Sequence, residues 1–132
     1  MAYAPRILIA EDEPKVRDLF QRVLLQDGYY VTAVGTGRHA LSKLRDTPFD
    51  LVLMDMSLPD RDGPDIIREI LSEFPHIKVL AISGDMAGPM EDLARLAGAV
   101  SALEKPIAPA ELLEGVYTAL DPSCSWRAKG PD

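Results

Sequence analysis

The 132-residue chain contains a single cysteine, Cys124, so an internal disulfide is excluded. No apolar run approaches the ~20 residues that a membrane-spanning helix needs. The amino terminus, MAYAPRILIA, has no basic region followed by a long apolar segment and a cleavage site. A soluble, cytoplasmic protein without membrane insertion is expected. Basic side chains are also in deficit, 14 against 21 acids for a net charge of -7, which disfavours a nucleic-acid or anionic-membrane surface. A cation or a basic partner patch suits this balance better. The two histidines, His39 and His76, have no neighbouring histidine or cysteine at ligand spacing, which argues against zinc.

Apolar residues are plentiful, at 47%, enough for the core of one compact domain. They fall into two alternating kinds of segment. Short runs rich in Val, Ile, Leu and Tyr read as buried strands at 6–10, 29–34, 51–54, 78–83 and 100–104. Between them lie helical periods. Val16, Leu19, Phe20, Val23 and Leu24 form one stripe, opened by Pro14 and closed by Gly28. A second stripe follows Pro64 at Ile66, Ile67, Ile70, Leu71 and Phe74, and another runs through Leu112, Leu113, Val116, Tyr117 and Leu120. Weaker helices are expected over 37–46 and 89–98, the latter alanine-rich and lightly packed. Five βα units imply an α/β, doubly wound, mostly parallel sheet with helices on both faces.

In such sheets ligands bind beyond the carboxyl ends of the strands. Those ends carry Glu11 and Asp12 after the first run, Asp55 after the third, Ser83 at the end of the fourth and Lys105 after the fifth. If the first and third strands are neighbours, three carboxylates converge, and hard oxygen ligands of this kind suit Mg²⁺. Lys105 adds a positive charge and Ser83 a hydroxyl. The result is a pocket for a doubly charged anion against Asp55, whose carboxylate can act as a nucleophile towards phosphorus.

The segments ILIAEDEP, DLVLMDMSLPDRDG, VLAISGD and LAGAVSALEKPI, with a terminal helix beginning near Pro109, together resemble the receiver domain of response regulators of two-component signalling. The resemblance covers roughly residues 5–120 as one domain and leaves 121–132 as a polar tail. It implies the flavodoxin-like receiver fold, a five-stranded parallel sheet in the order 2-1-3-4-5. It further implies that Asp55 is the phosphoacceptor and that Asp12 and Asp55 bind Mg²⁺ (or Mn²⁺) through their side chains. Glu11 would act through a metal-bound water, and Ser57 through its backbone carbonyl. Ser83 would hydrogen-bond the phosphoryl group and Lys105 pair with it, while Pro106 would follow a cis peptide bond. The implied donor is a histidine kinase or histidine phosphotransfer protein. The implied output is a downstream protein docked on residues of about 89–117.

Three positions depart from the family pattern. Glu11 stands where aspartate is commoner, Ser83 where threonine is commoner, and Ala102 where a tyrosine or phenylalanine usually turns inward on phosphorylation. Without that ring, a conformational switch is expected to run through the loop after Ser83 or the helix at 89–98. Asp60, Asp62 and Asp65 read as turn and cap residues in a Gly/Pro context, and the GTG at 35–37 reads as a turn. An aspartate-based phosphohydrolase is disfavoured because Ser57 stands where such families, by resemblance, have a second acid. A flavin carrier is disfavoured because AEDEP offers carboxylates where a phosphate would bind. A non-enzymatic signalling module is therefore expected, acting alone through a partner if the chain is complete. The alternatives are a receiver within a longer regulator or hybrid kinase, or a phosphorelay intermediate.

Overall fold

The computed structural model describes residues 4–85 and 88–124. Trp126 and Met86 lie outside the described residues, as does most of the polar tail expected at 121–132. The elements alternate as β1 (Arg6–Ala10), α1 (Pro14–Gln26), β2 (Tyr30–Val34), α2 (Gly37–Asp46) and β3 (Leu51–Asp55). They continue as α3 (Gly63–Glu73), β4 (Lys78–Ser83), α4 (Pro89–Ala97), β5 (Ser101–Glu104) and α5 (Pro109–Leu120). All strands are parallel, in the order β2-β1-β3-β4-β5. The fold is α/β and doubly wound, with β1 and β3 side by side.

Side chains alternate across each strand, so the sheet divides its apolar residues between two cores. Leu8, Val52, Met54, Val79 and Ala81 face α2, α3 and α4, where Leu44, Ile66, Ile70 and Ala94 meet them. Ile9, Leu51, Leu53, Leu80 and Ile82 face α1 and α5, where Phe20, Leu24, Leu112 and Val116 meet them. Strands covered on both faces need no polar alternation, which is why β3 reads as LVLMD.

Two apolar stripes extend less far into the core than their periodicity suggests. Leu19 is 38% exposed and Tyr117 75% exposed. Each lies at the margin of its helix's apolar stripe, beyond the part covered by the sheet. Leu19 instead lines a shallow apolar groove with Val16, Phe20, Pro106 and Ile107.

Helix ends follow local chemistry. Thr36 accepts from the His39 N–H at the start of α2, and Asp62 from the Asp65 N–H at the start of α3. Pro occupies the first turns of α1, α3, α4 and α5, where its missing N–H costs nothing. Gly98 ends α4 with φ +115, a left-handed conformation that glycine adopts without strain.

Candidate functional site

The register Ala10↔Met54 between β1 and β3 brings the next residues of both strands to the same edge. Glu11 and Asp55 are buried there, at 1% and 2% exposure, while Asp12 faces solvent. One carboxylate oxygen from each of Glu11, Asp12 and Asp55 lies within 4.8 Å of the other two. Three hard oxygen donors at this spacing fit Mg²⁺, which prefers a few carboxylates and keeps waters in its remaining positions.

Lys105 enters from the end of β5. Its backbone N–H donates to the Ser83 carbonyl at 2.8 Å, which fixes the base of the side chain. Its ammonium lies 2.8 Å from Glu11 Oε1 and 3.3 Å from Asp55 Oδ2. The Lys105–Pro106 peptide is cis. Asp55 Oδ1 accepts the Ser57 N–H at 3.0 Å, so both Asp55 oxygens face donors.

Electrostatics follow from this crowding. Burial pushes the Glu11 pKa up, and the Asp55 charge pushes the same way, against the pull of Lys105 and the Glu13 N–H. For Lys105, burial acts downward. The Glu11 contact and the charges of Asp55 and Glu11 outweigh it, so its pKa is raised and the ammonium persists at neutral pH.

Ser83 is 4% exposed at the end of β4, and its hydroxyl accepts from the Asp85 N–H at 3.1 Å. A cavity of about 520 Å³ is lined by Ser57, Ser83, Gly84, Asp85, Pro89 and Met90. Ser57 itself is exposed on the β3–α3 loop. The structure thus brings Glu11, Asp12, Asp55 and Lys105 into contact range, with Ser57 on the adjoining β3–α3 loop and Ser83 at the end of β4. Gly63 closes the β3–α3 loop, where an added Cβ would lie 2.9 Å from the Met56 carbonyl oxygen. Ala102 packs against the same core as Met90, Leu71 and Phe74.

Two contacts were not legible beforehand. Asp60 does more than turn its own loop: its oxygens accept the Gly37 and Arg38 N–H groups of α2 at 2.8 and 3.0 Å. The sequence signal was only an aspartate in a turn, and its acceptors' partners lie 23 and 22 residues away. Arg17, from α1, donates to the Glu11 carbonyl at 2.9 Å. Its polar side chain next to the apolar stripe carried no sign of this.

The family model for the response regulator receiver domain matches residues 7–117, and the chain belongs to that family. It is 38% identical over 122 residues to the transcriptional regulatory protein BaeR of Escherichia coli, covering 88% of this chain and 48% of that protein. It is 31% identical to the chemotaxis protein CheY of Thermotoga maritima, covering 84% of this chain and 93% of that one. The chain spans about half the length of BaeR and of PetR from Rhodobacter capsulatus. Among solved structures, a CheY-like receiver domain from Methanospirillum hungatei superposes with a TM-score of 0.86 at 29% identity, covering 90% of this chain and 95% of that one. The receiver domain of the sensor histidine kinase PA1611 from Pseudomonas aeruginosa, which has a magnesium ion coordinated in its active-site cleft, superposes at 0.81 with 28% identity. That pair covers 89% of this chain and 98% of the other.

Proposed function

We propose that the chain is a phosphoacceptor: Asp55 takes a phosphoryl group from a histidine kinase or histidine phosphotransfer protein and the modified surface signals to a partner. The observation that carries this reading is Asp55 itself, buried at the end of β3 with the Lys105 ammonium 3.3 Å from Oδ2 and a second and third carboxylate beside it. An Asp55 oxygen forms the new O–P bond as the N–P bond to the donor histidine breaks, and the released imidazole nitrogen keeps the electron pair. Asp12 and Asp55 would hold Mg²⁺ (or Mn²⁺) by their carboxylates, Glu11 through a water and Ser57 by its carbonyl. The metal supplies charge neutralisation on the transferring oxygens. The Lys105 ammonium stabilises the same charge, and the Ser83 hydroxyl turns from Asp85 to donate to a phosphoryl oxygen.

The module is proposed to act without turnover of a separate substrate, because Ser57, rather than an acid, stands two residues after the nucleophile. Output is assigned to residues of about 89–117, where Leu93, Leu96 and Tyr117 are exposed. With Ala102 carrying no ring, the change on phosphorylation is assigned to the β4–α4 loop or to α4. A single-domain arrangement is supported by the 93% coverage of CheY, and a receiver within a longer regulator by the 48% coverage of BaeR. No helix among the described residues is long and apolar enough to cross a membrane.

The test is intact mass after incubation with acetyl phosphate. The native chain gains one phosphoryl group only with Mg²⁺, and Asp55→Asn gains none. An Asp55→Asn chain that still gains it, or a folded native chain that gains nothing from either acetyl phosphate or a phosphorylated histidine phosphotransfer protein, overturns the reading.

A further inference from the structure

The turn between β2 and α2 carries no acid, and its GTG reads as simple chain reversal. In the fold it touches both loops that carry the candidate metal ligands, from the edge of the sheet. On one side Arg17 donates its Nη1 to the Glu11 carbonyl at 2.9 Å. The same Nη1 lies 3.0 Å from where a Cβ on Gly35 would be, so the guanidinium sits close against this glycine. The Glu11 N–H donates to the Val34 carbonyl at 3.0 Å, so the backbone of this ligand-bearing residue is held on both sides.

On the other side Asp60, three residues beyond Ser57, takes the Gly37 and Arg38 N–H groups at 2.8 and 3.0 Å. Gly37 is buried, and an added Cβ would lie 2.6 Å from Ile66 Cδ1 and 2.8 Å from Arg61 Cγ. Thr36 meanwhile caps the next free donor, the His39 N–H. Charge-assisted bonds of this kind, from a carboxylate to backbone N–H groups, are among the stronger ones. The Asp60 pKa reflects them: partial burial acts upward, but the Gly37 and Arg38 bonds outweigh it and lower the pKa.

We propose that Gly35–Arg38, bonded to Asp60 on one side and lying against the Arg17 guanidinium that binds the Glu11 carbonyl on the other, is a positioning element that sets the distance between the Glu11–Asp12 loop and the Ser57 loop. Arg17 and Asp60 are its positioning residues, touching neither metal nor phosphoryl group. The function of the element rests on the phosphoacceptor reading. Its geometry does not.

The sign of one substitution separates positioning from simple electrostatics. Removing the Arg17 charge takes a cation away from an acidic site, which by Coulomb's law strengthens Mg²⁺ binding. Loss of positioning weakens it. Mg²⁺ affinity is measured by titration calorimetry on the native chain and on Arg17→Met, Arg17→Lys, Asp60→Ala and Asp60→Asn, with urea unfolding of each in chelator. Both truncations are expected to bind Mg²⁺ about tenfold more weakly, the scale typical of outer partners of metal ligands. The Lys and Asn variants, which keep one donor or one acceptor, are expected to fall between. Where a truncation does not fold, its conservative variant decides by the same criterion of weaker Mg²⁺ binding.

Native or tighter Mg²⁺ binding by folded Arg17 and Asp60 variants, with stability alone reduced, overturns the proposal and leaves the phosphoacceptor reading intact. A native chain that binds no Mg²⁺ overturns both.

Discussion

Strand β3 is buried along its whole length, from Leu51 to Asp55, whereas β5 is half-buried at Ser101–Leu103 and exposed at Glu104. The helix that follows β3 and the helix that precedes β5 differ in the same sense. Helix α3 buries Ile66, Ile67 and Ile70 and has its first turn capped by Asp62. Helix α4 buries Ala94 and Ala97, starts at Gly88 without a side-chain cap, and leaves Leu93 and Leu96 at 40% and 75% exposure. Dense packing resists displacement, and sparsely packed segments open at lower cost. The carboxylates that must keep a fixed spacing are on the dense side. The segment proposed for output is on the sparse side, where displacement costs least.

The largest test of this contrast is a pair of truncations. Leu53→Ala removes a fully buried side chain from the core shared with α1 and α5, and its expected cost is about 2–5 kcal/mol. Leu93→Ala, on α4, is expected to cost well under half of that. Urea unfolding of both chains measures the difference directly. Equal losses would show that α4 is packed as tightly as β3 and would break the comparison.

What was legible in the sequence follows from the chemistry of the sheet. Strands covered by helices announce themselves as short apolar runs, so all five were readable to within a residue at each end. The convergence of Glu11, Asp12, Asp55 and Lys105 was readable because all four stand at the carboxyl ends of parallel strands. Side chains that act across the chain were not. Asp60 looks like any turn aspartate until the β2–α2 turn is placed beside it. Periodicity names the apolar face of a helix but not its width, so Leu19 and Tyr117 were counted as core although both are exposed. Alanine content did forecast the light packing of α4, because two small side chains bury little area.

A second test acts inside the dense region and uses pH in the absence of Mg²⁺. The Glu11 pKa is raised by burial and by Asp55, so the folded state holds this proton more tightly than the unfolded state does. Its contribution is most favourable below the ordinary value of 4.5 and is lost as pH rises through the folded pKa. Asp60 runs the other way. Its folded pKa lies below the ordinary 3.8, so its contribution is present above that value and lost as pH falls through the folded pKa. Urea midpoints of the native chain are therefore expected to fall with rising pH above 4.5 by more than those of Glu11→Gln. Parallel profiles would show that Glu11 carries no strain in the folded protein. Adding Mg²⁺ is expected to flatten the native profile selectively, because neutralising the cluster favours ionised Glu11.

The smallest effect is expected where the sparse region meets solvent. Leu96 and Tyr117 are each 75% exposed, on α4 and α5, so polar replacement removes little buried area. Leu96→Gln and Tyr117→Gln are expected to change stability by no more than about 0.5 kcal/mol, the usual range for surface positions. Both are also expected to gain the phosphoryl group from acetyl phosphate as the native chain does, since neither touches the acidic cluster or Lys105. If Leu96→Gln unfolds more readily than this, the side chain has a packing role that its exposure hides. If it slows phosphorylation, the two regions are coupled even before Asp55 is modified, and the division between a rigid site and a compliant output face fails at the point where α4 meets the Ser83 loop.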